Sequence, residues 1–337
     1  METITHTPSG AAFDFLRRND REPKPRTHGI TEIRGPYYTP FGKRALQDIL
    51  ETMGPWVDTL KFAGGSFTLM PDRSLEELIA LSHEHGVLVS TGGFIERVLT
   101  QGGEAVTQYI DTCRAVGFDI IELSSGFITI PADDWLRLME RVQRAGLKAK
   151  PEVGIQFGAG GATTPDELAA EGTHDVAWAI KLARRFLDAG AYQIMIESEG
   201  ITENVRTWRT DVPARLIDAL GLERIMFEAA DPEVFAWYIK HYGPEVNLFV
   251  DHSQIVQLES LRQGIWGTAS LWGRVVTYKG EHNDERRSAP GSQRQGDERE
   301  ARTNWQHEGC RAWADACIRS GRDKSECGER GRESVRL

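Results

Sequence analysis

FDIIELS at 118–124, LKAKPEVG at 147–154, YQIMIESE at 192–199, RIMFEA at 224–229 and VNLFVD at 246–251 are short apolar segments, each followed by a helix-patterned stretch. Each carries a carboxylate toward its C-terminal end: Glu122, Glu152, Glu197, Glu228 and Asp251. Short apolar runs alternating with helical patterns read as buried strands of a parallel sheet. Acids of one sign gathered at one end of such a sheet repel one another, so the pattern predicts an active-site rim that binds a cation.

Outward from these segments the same alternation continues. Strands are expected at 30–34, 57–63, 87–91, 118–123, 147–153, 191–197, 224–228 and 246–250. Helices are expected over 43–53, 74–85, 104–116, 132–145, 174–189, 205–220, 231–242 and 253–263. Ser74 to Glu77 and Thr164 to Glu167 have the spacing of capping boxes. Gly86, Gly117, Gly146, Gly190 and Gly243 stand where helices run out before the next strand. Eight strand–helix repeats predict an α/β fold, a (β/α)8 TIM barrel, over residues 26–280. An open doubly wound sheet is the alternative architecture.

The flanks differ. Residues 1–25 read as a flexible lead-in, and 281–337, rich in Arg, Glu, Gly and Ser, as a disordered polar tail. Across 337 residues, 40% hydrophobic and 27% charged side chains suit a globular protein with one large core. A net charge of −10, from 50 acidic and 40 basic residues, gives nonspecific nucleic-acid binding no electrostatic basis. No apolar run approaches the roughly 20 residues that cross a bilayer, and the N-terminus lacks a signal-like stretch. A cytoplasmic protein without membrane partners is expected. Cys113 lies in the main body and Cys310, Cys317 and Cys327 in the tail, which is no disulfide framework; with His307 they match no standard zinc spacing.

In a parallel barrel the chemistry sits at the C-terminal strand ends. Side chains two apart on a strand share a face, which groups Lys150 with Glu152 and Glu32 with Arg34. Lys61 closes the second strand. A ring of acids interrupted by Arg34, Lys61 and Lys150 suits a hard divalent metal beside a small anionic substrate. The competing reading is that such lysines and glutamates only satisfy each other. Gly64-Gly65, Gly92-Gly93 and the turn from Gly158 to Gly161 would admit a ligand close to the backbone, though such turns are common in barrels. In VNLFVDHSQI, Ser253 opens a helix and is either an anion contact or an N-cap. His252 is a general acid, a metal ligand or a structural hydrogen-bond partner. Adjacent Asp251, His252 and Ser253 point apart on an extended chain and make no hydrolytic triad.

With these residues in place, the chain resembles the phosphosulfolactate synthase family, in the branch related to plant heat-stress-associated proteins. The resemblance rests on KPRTHGITEIRGPYYTPFG at 24–42, LKFAGGSF at 60–67, GGFIE at 92–96, GFDIIELSSGFITIP at 117–131, KPEVGIQFGAGG at 150–161, MFEAADPEVFAWYIKHYGPEVNLFVDHSQI at 226–255 and LESLR at 258–262. It implies a (β/α)8 barrel and Mg2+-dependent addition of sulfite to phosphoenolpyruvate. It carries over Lys61, Glu96, Glu122, Glu152 and Glu228 as site residues. Three positions depart from the family pattern. Ile155 and Gln156 stand where synthases have lysines, Glu197 to Gly200 replaces an Arg-Glu-Ser-Gly, and strand eight reads Asn247 to His252.

Taken together, Lys150, Glu152, Lys61 and Glu122 are the expected catalytic residues. Arg34, Glu96, His252 and Ser253 are expected to bind substrate, and Glu122, Glu152, Glu197, Glu228 and Asp251 to supply the Mg2+ ligands. A barrel without turnover that serves heat tolerance through a stress-related protein partner is the alternative, and a homo-oligomer stays open.

Overall fold

A computed structural model describes residues 13, 16–159, 164–265, 271 and 273–278; residues 1–12, 281–337 and Gly160 to Gly161 of the glycine turn lie outside them. The order opens with β1 (Thr31–Arg34), α1 (Lys43–Met53), β2 (Thr59–Lys61), α2 (Asp72–Glu84), β3 (Leu88–Ser90), α3 (Ile95–Leu99) and α4 (Gly103–Val116). It continues through β4 (Ile120–Leu123), α5 (Ala132–Arg144), β5 (Lys148–Val153), α6 (Pro165–Glu171), α7 (Val176–Asp188) and β6 (Ile194–Ile196). The last elements are α8 (Asp211–Leu220), β7 (Ile225–Glu228), α9 (Pro232–Tyr242), β8 (Leu248–Asp251) and α10 (Ile255–Arg262). The strands pair in parallel in sequence order, and β8 returns to β1 with Arg34 opposite Asp251, closing a (β/α)8 barrel. The open sheet is thereby excluded. No helix among the described residues is long and apolar enough to cross a membrane.

Alternation along the strands sorts two cores. Outward residues such as Ile33, Leu60, Ile121, Ile196 and Phe227 pack against the helices in one continuous cluster. Inside the barrel the apolar group is small: Ile30, Met195, Met226 and Phe249. Much of the rest of the interior is charged, with Glu32, Lys61, Glu122 and Lys150 all buried, which positions the site.

Several local expectations change. The Ser74 capping box does not form, because α2 begins at Asp72 behind Pro71 with no side-chain cap. The Thr164 box does form with Glu167. The stretch expected to be loose before residue 26 is anchored from Asn19 onward, whose Nδ2 donates to the carbonyls of Arg262 and Val275. Arg21 pairs with Glu259 at 3.0 Å and Arg26 with Asp58 at 2.9 Å. Two compact units divide after Thr277, and of the second only Tyr278 is described.

Gly65 shows why LKFAGGSF needs its glycines. Its φ is +69°, and an added Cβ would stand 2.1 Å from the Phe94 ring. Gly65→Ala is expected to lower the unfolding free energy by about 3 kcal/mol, joining left-handed strain to overpacking; a urea melt within error of the wild type would refute this.

Candidate functional site

Two buried lysines organise the barrel interior. Lys150, fully buried on β5, donates to both oxygens of Glu32 at 2.6 and 2.7 Å and stands 3.0 Å from Glu122 Oε2. Lys61, at the end of β2, lies 2.7 Å from Glu122 Oε1 and 3.2 Å from Glu228 Oε1. The result is a continuous chain, Glu32–Lys150–Glu122–Lys61–Glu228. Burial raises the proton affinity of Glu32 against the pull of Lys150. Burial also opposes the charge of Glu122, but Lys61 and Lys150 outweigh it and hold that carboxyl below its ordinary value. For Lys61 burial works against the charge, yet Glu122 and Glu228 prevail and keep the ammonium well above its ordinary value. Its Nζ also sits 4.2 Å from the centre of the Phe249 ring.

Above this chain the acids are in excess. Glu152 and Glu197 are half-buried at the barrel mouth. Gly154 lets them approach, since an added Cβ there would meet Glu197 Cβ at 2.9 Å. Burial first, then repulsion from Glu197, lifts Glu152 well above the usual carboxyl range. Burial and repulsion from Glu228 lift Glu197 likewise, against a hydrogen bond from the Glu199 amide at 3.0 Å. Among the described residues Glu152 accepts no hydrogen bond and forms no ion pair, unlike Glu197 and Glu228.

Two cavities open at this mouth. One, of about 550 Å3, is lined by Arg34, Ser198, Glu228, Asp251, Ser253 and Gln254 among others. Arg34 forms no ion pair among the described residues; its guanidinium bonds Tyr38 Oη at 3.1 Å, lies against the rings of Tyr37, Tyr38 and Phe249, and leaves Nε buried and unpartnered. A planar cation held this way is suited to an anion. The other cavity, of about 460 Å3, has Glu152 and Glu197 in its wall.

The geometry redistributes the expected roles. No three His, Cys, Asp or Glu side chains among the described residues stand close enough to ligate one metal ion, so the five acids do not form a single ligand set. Glu122 is committed to two lysines, and Asp251 caps the turn that follows, accepting from the Ser253 amide at 3.0 Å and Ser253 Oγ at 2.6 Å. Asp251, not Ser253, is therefore the N-cap. His252 Nδ1 lies 3.0 Å from the Arg34 carbonyl and its ring packs edge-on against Phe41, outside the lining of either cavity. That contact ties the end of β8 to the end of β1. Lys150 is engaged by Glu32 and Glu122.

Glu96 clamps the loop after β4. It accepts from Ser124 Oγ at 2.5 Å and from the amides of Gly126, Phe127 and Ile128 at 3.0, 2.7 and 3.2 Å. Both oxygens are consumed. Glu96→Ala is expected to cost about 2–3 kcal/mol, the scale of unsatisfied buried donors, and to speed hydrogen exchange at Phe127 and Ile128. Unchanged exchange at those amides would contradict the clamp.

Sequence reasoning missed Glu32 as the main partner of Lys150 and the aromatic wall of the second cavity. The alternation that groups Glu32 with Arg34 was a signal for the first. For the second, His174 and Trp178 stand four apart in the expected helix, but Phe127 and Phe157 come from the loops after β4 and β5, which no local window joins to them.

With the geometry described, comparison places the chain among known proteins. The sequence model for "(2R)-phospho-3-sulfolactate synthase (ComA)" matches residues 19–268. Protein HEAT-STRESS-ASSOCIATED 32 of Arabidopsis thaliana is 41% identical over 258 residues, covering 74% of this chain and 90% of that protein. The phosphosulfolactate synthase of Methanothermobacter thermautotrophicus is 28% identical, covering 76% and 96%. That of Methanocaldococcus jannaschii is 25% identical, covering 78% and 99%.

Proposed function

The chain belongs to the phosphosulfolactate synthase family, and from that premise we propose that the barrel mouth catalyses Mg2+-assisted addition of sulfite to phosphoenolpyruvate or a closely related enol phosphate. The observation that carries this reading is the juxtaposition in one cavity of Arg34, unpaired among the described residues, with Glu228, beside acids that burial and repulsion leave short of positive charge. Hard carboxylate oxygens suit Mg2+, which takes one or two carboxylates and completes its shell with water and substrate. Glu197 and Glu228, which already receive donors, are the carboxylates that would hold it; when bound, it supplies positive charge where the substrate carboxylate gains negative charge.

This chain's residues do the rest. Arg34 binds and orients an anionic group of the substrate. Lys61 contributes a permanent positive charge at the floor. Sulfite sulfur bonds to C3, the C2–C3 π pair moves toward the carboxylate, and a proton is then needed at C2. Glu152, which lacks a stabilising donor among the described residues, keeps its carboxyl proton at higher pH than an ordinary glutamate and delivers it. This replaces the lysine acid implied by the family resemblance, a role that Ile155, buried, and Gln156, bonded to the Leu168 and Gly172 carbonyls, do not fill.

Phosphorus NMR of the protein with phosphoenolpyruvate, sulfite and Mg2+ should show a new phosphate ester that EDTA suppresses. Arg34→Met should slow its formation by roughly 100-fold or more, the scale of a lost electrostatic contact. A folded protein that yields no product refutes this substrate pair. The second reading, a barrel that supports heat tolerance through a protein partner, is favoured by the structural use of Gln156 and by the 41% identical heat-stress relative. Under it, Glu152→Gln leaves cell survival after heating intact.

A further inference from the structure

We propose that the second mouth cavity, between the ends of β4, β5 and β6, binds a free small alkylammonium compound, a ligand class separate from the reaction proposed above. The cavity is concave and of ligand size, about 460 Å3. Its wall is aromatic on one side. His174 lies parallel to Trp178 with centroids 3.7 Å apart, and Phe157 closes on His174 at 3.8 Å. Phe127, Phe157 and Trp178 keep 70%, 41% and 42% of their surface exposed, so their faces are not spent on the core.

The remaining wall is acidic. Glu171 stands toward the rim and Glu152 and Glu197 at the strand ends, and no Lys or Arg is among the described lining residues. Aromatic faces present negative potential, so the rings and the exposed Glu171 carboxylate act with one sign. Burial lowers the proton affinity of the His174 imidazole, which leaves the stack uncharged at neutral pH. An anion would meet three acids here. A neutral apolar ligand would desolvate those acids without compensation. An alkylammonium offers methyl or methylene surface to the rings and charge to the Glu171 carboxylate at the rim. Because the inner wall is formed at the strand ends, the ligand must enter the barrel mouth, which suits a small free molecule.

Titration calorimetry of the full chain in EDTA with choline and with its neutral isostere 3,3-dimethyl-1-butanol tests the proposal. Saturable choline binding is expected, with the alcohol at least roughly tenfold weaker, as a cation–π contact requires. Trp178→Ala, or Phe157→Ala if the first variant melts early, should weaken choline about tenfold, and Glu171→Gln severalfold. Equal binding of the two probes, no saturable binding, or choline affinity unchanged in both aromatic variants overturns it. Since EDTA is present throughout, this outcome is independent of the Mg2+-dependent NMR assay, and either reading can fail alone.

Discussion

Lys150→Met should destabilise the protein by about 3–5 kcal/mol, the scale for removing one partner of a buried ion pair. Lys150 is fully buried and its ammonium is the nearest cation to Glu32, while Glu122 depends on it jointly with Lys61. Methionine fills the volume but leaves Glu32 only the weaker pull of Lys61. The pH dependence follows from that. A carboxyl whose folded-state pKa lies above its unfolded value takes up protons on folding, so stability falls as pH rises through the raised range and recovers as pH falls. Glu32 is already raised, and the variant raises it further, so the deficit should widen toward neutral pH and narrow in acid. Adding Glu32→Gln should restore part of the loss. Urea melts of the three proteins decide it: a single variant as stable as the wild type would show that Lys150 does not hold the interior charge together.

The opposite sign is expected at the mouth. Glu152 and Glu197 both hold protons more tightly in the folded chain than in the unfolded one, so between the ordinary carboxyl value and their raised values the folded state binds more protons. Stability must fall as pH rises through that window. The double variant Glu152→Gln, Glu197→Gln removes this penalty and should be more stable by about 1–2 kcal/mol near neutral pH, a common gain when a functional site is relieved of strain. The advantage should vanish in acid, where the wild-type pair is protonated in both states. Saturating Mg2+ should reverse the order. At about 100 times its Kd a ligand adds about 2.7 kcal/mol, and the wild type should gain a thermal shift that the double variant lacks. A variant with the wild-type Mg2+ shift would remove Glu197 from the metal site, and one no more stable than the wild type at neutral pH would show that the two acids are not in conflict.

The barrel was legible because its signals are local. Apolar runs and glycine stops set strand after strand within a few residues of where they lie; α1 at Lys43–Met53 matches the expected helix. Errors fell where the local signal was ambiguous. Ser74 has the chemistry of a cap, but Pro71 and Asp72 start the helix earlier. Residues before Arg26 look polar and loose, yet Asn19 and Arg21 find partners far along the chain, at Arg262 and Glu259. Nothing in a local window reports a partner more than 200 residues away.

For the site, the sequence by itself determined which residue types reach the C-terminal rim: alternation with period two puts Lys61, Glu122, Glu152 and Glu228 inside, and strand order puts them at one end. Which charge meets which was decided only by the tertiary structure, because barrel closure sets the distances across the interior. Closure brings Lys150 to Glu32 across the barrel from β5 to β1 and leaves Arg34 free of ion pairs among the described residues. It turns Glu96 onto the amides of the β4–α5 loop. Pairing energy depends on separations of a few ångströms, and those separations arise only when strands distant in sequence share one interior.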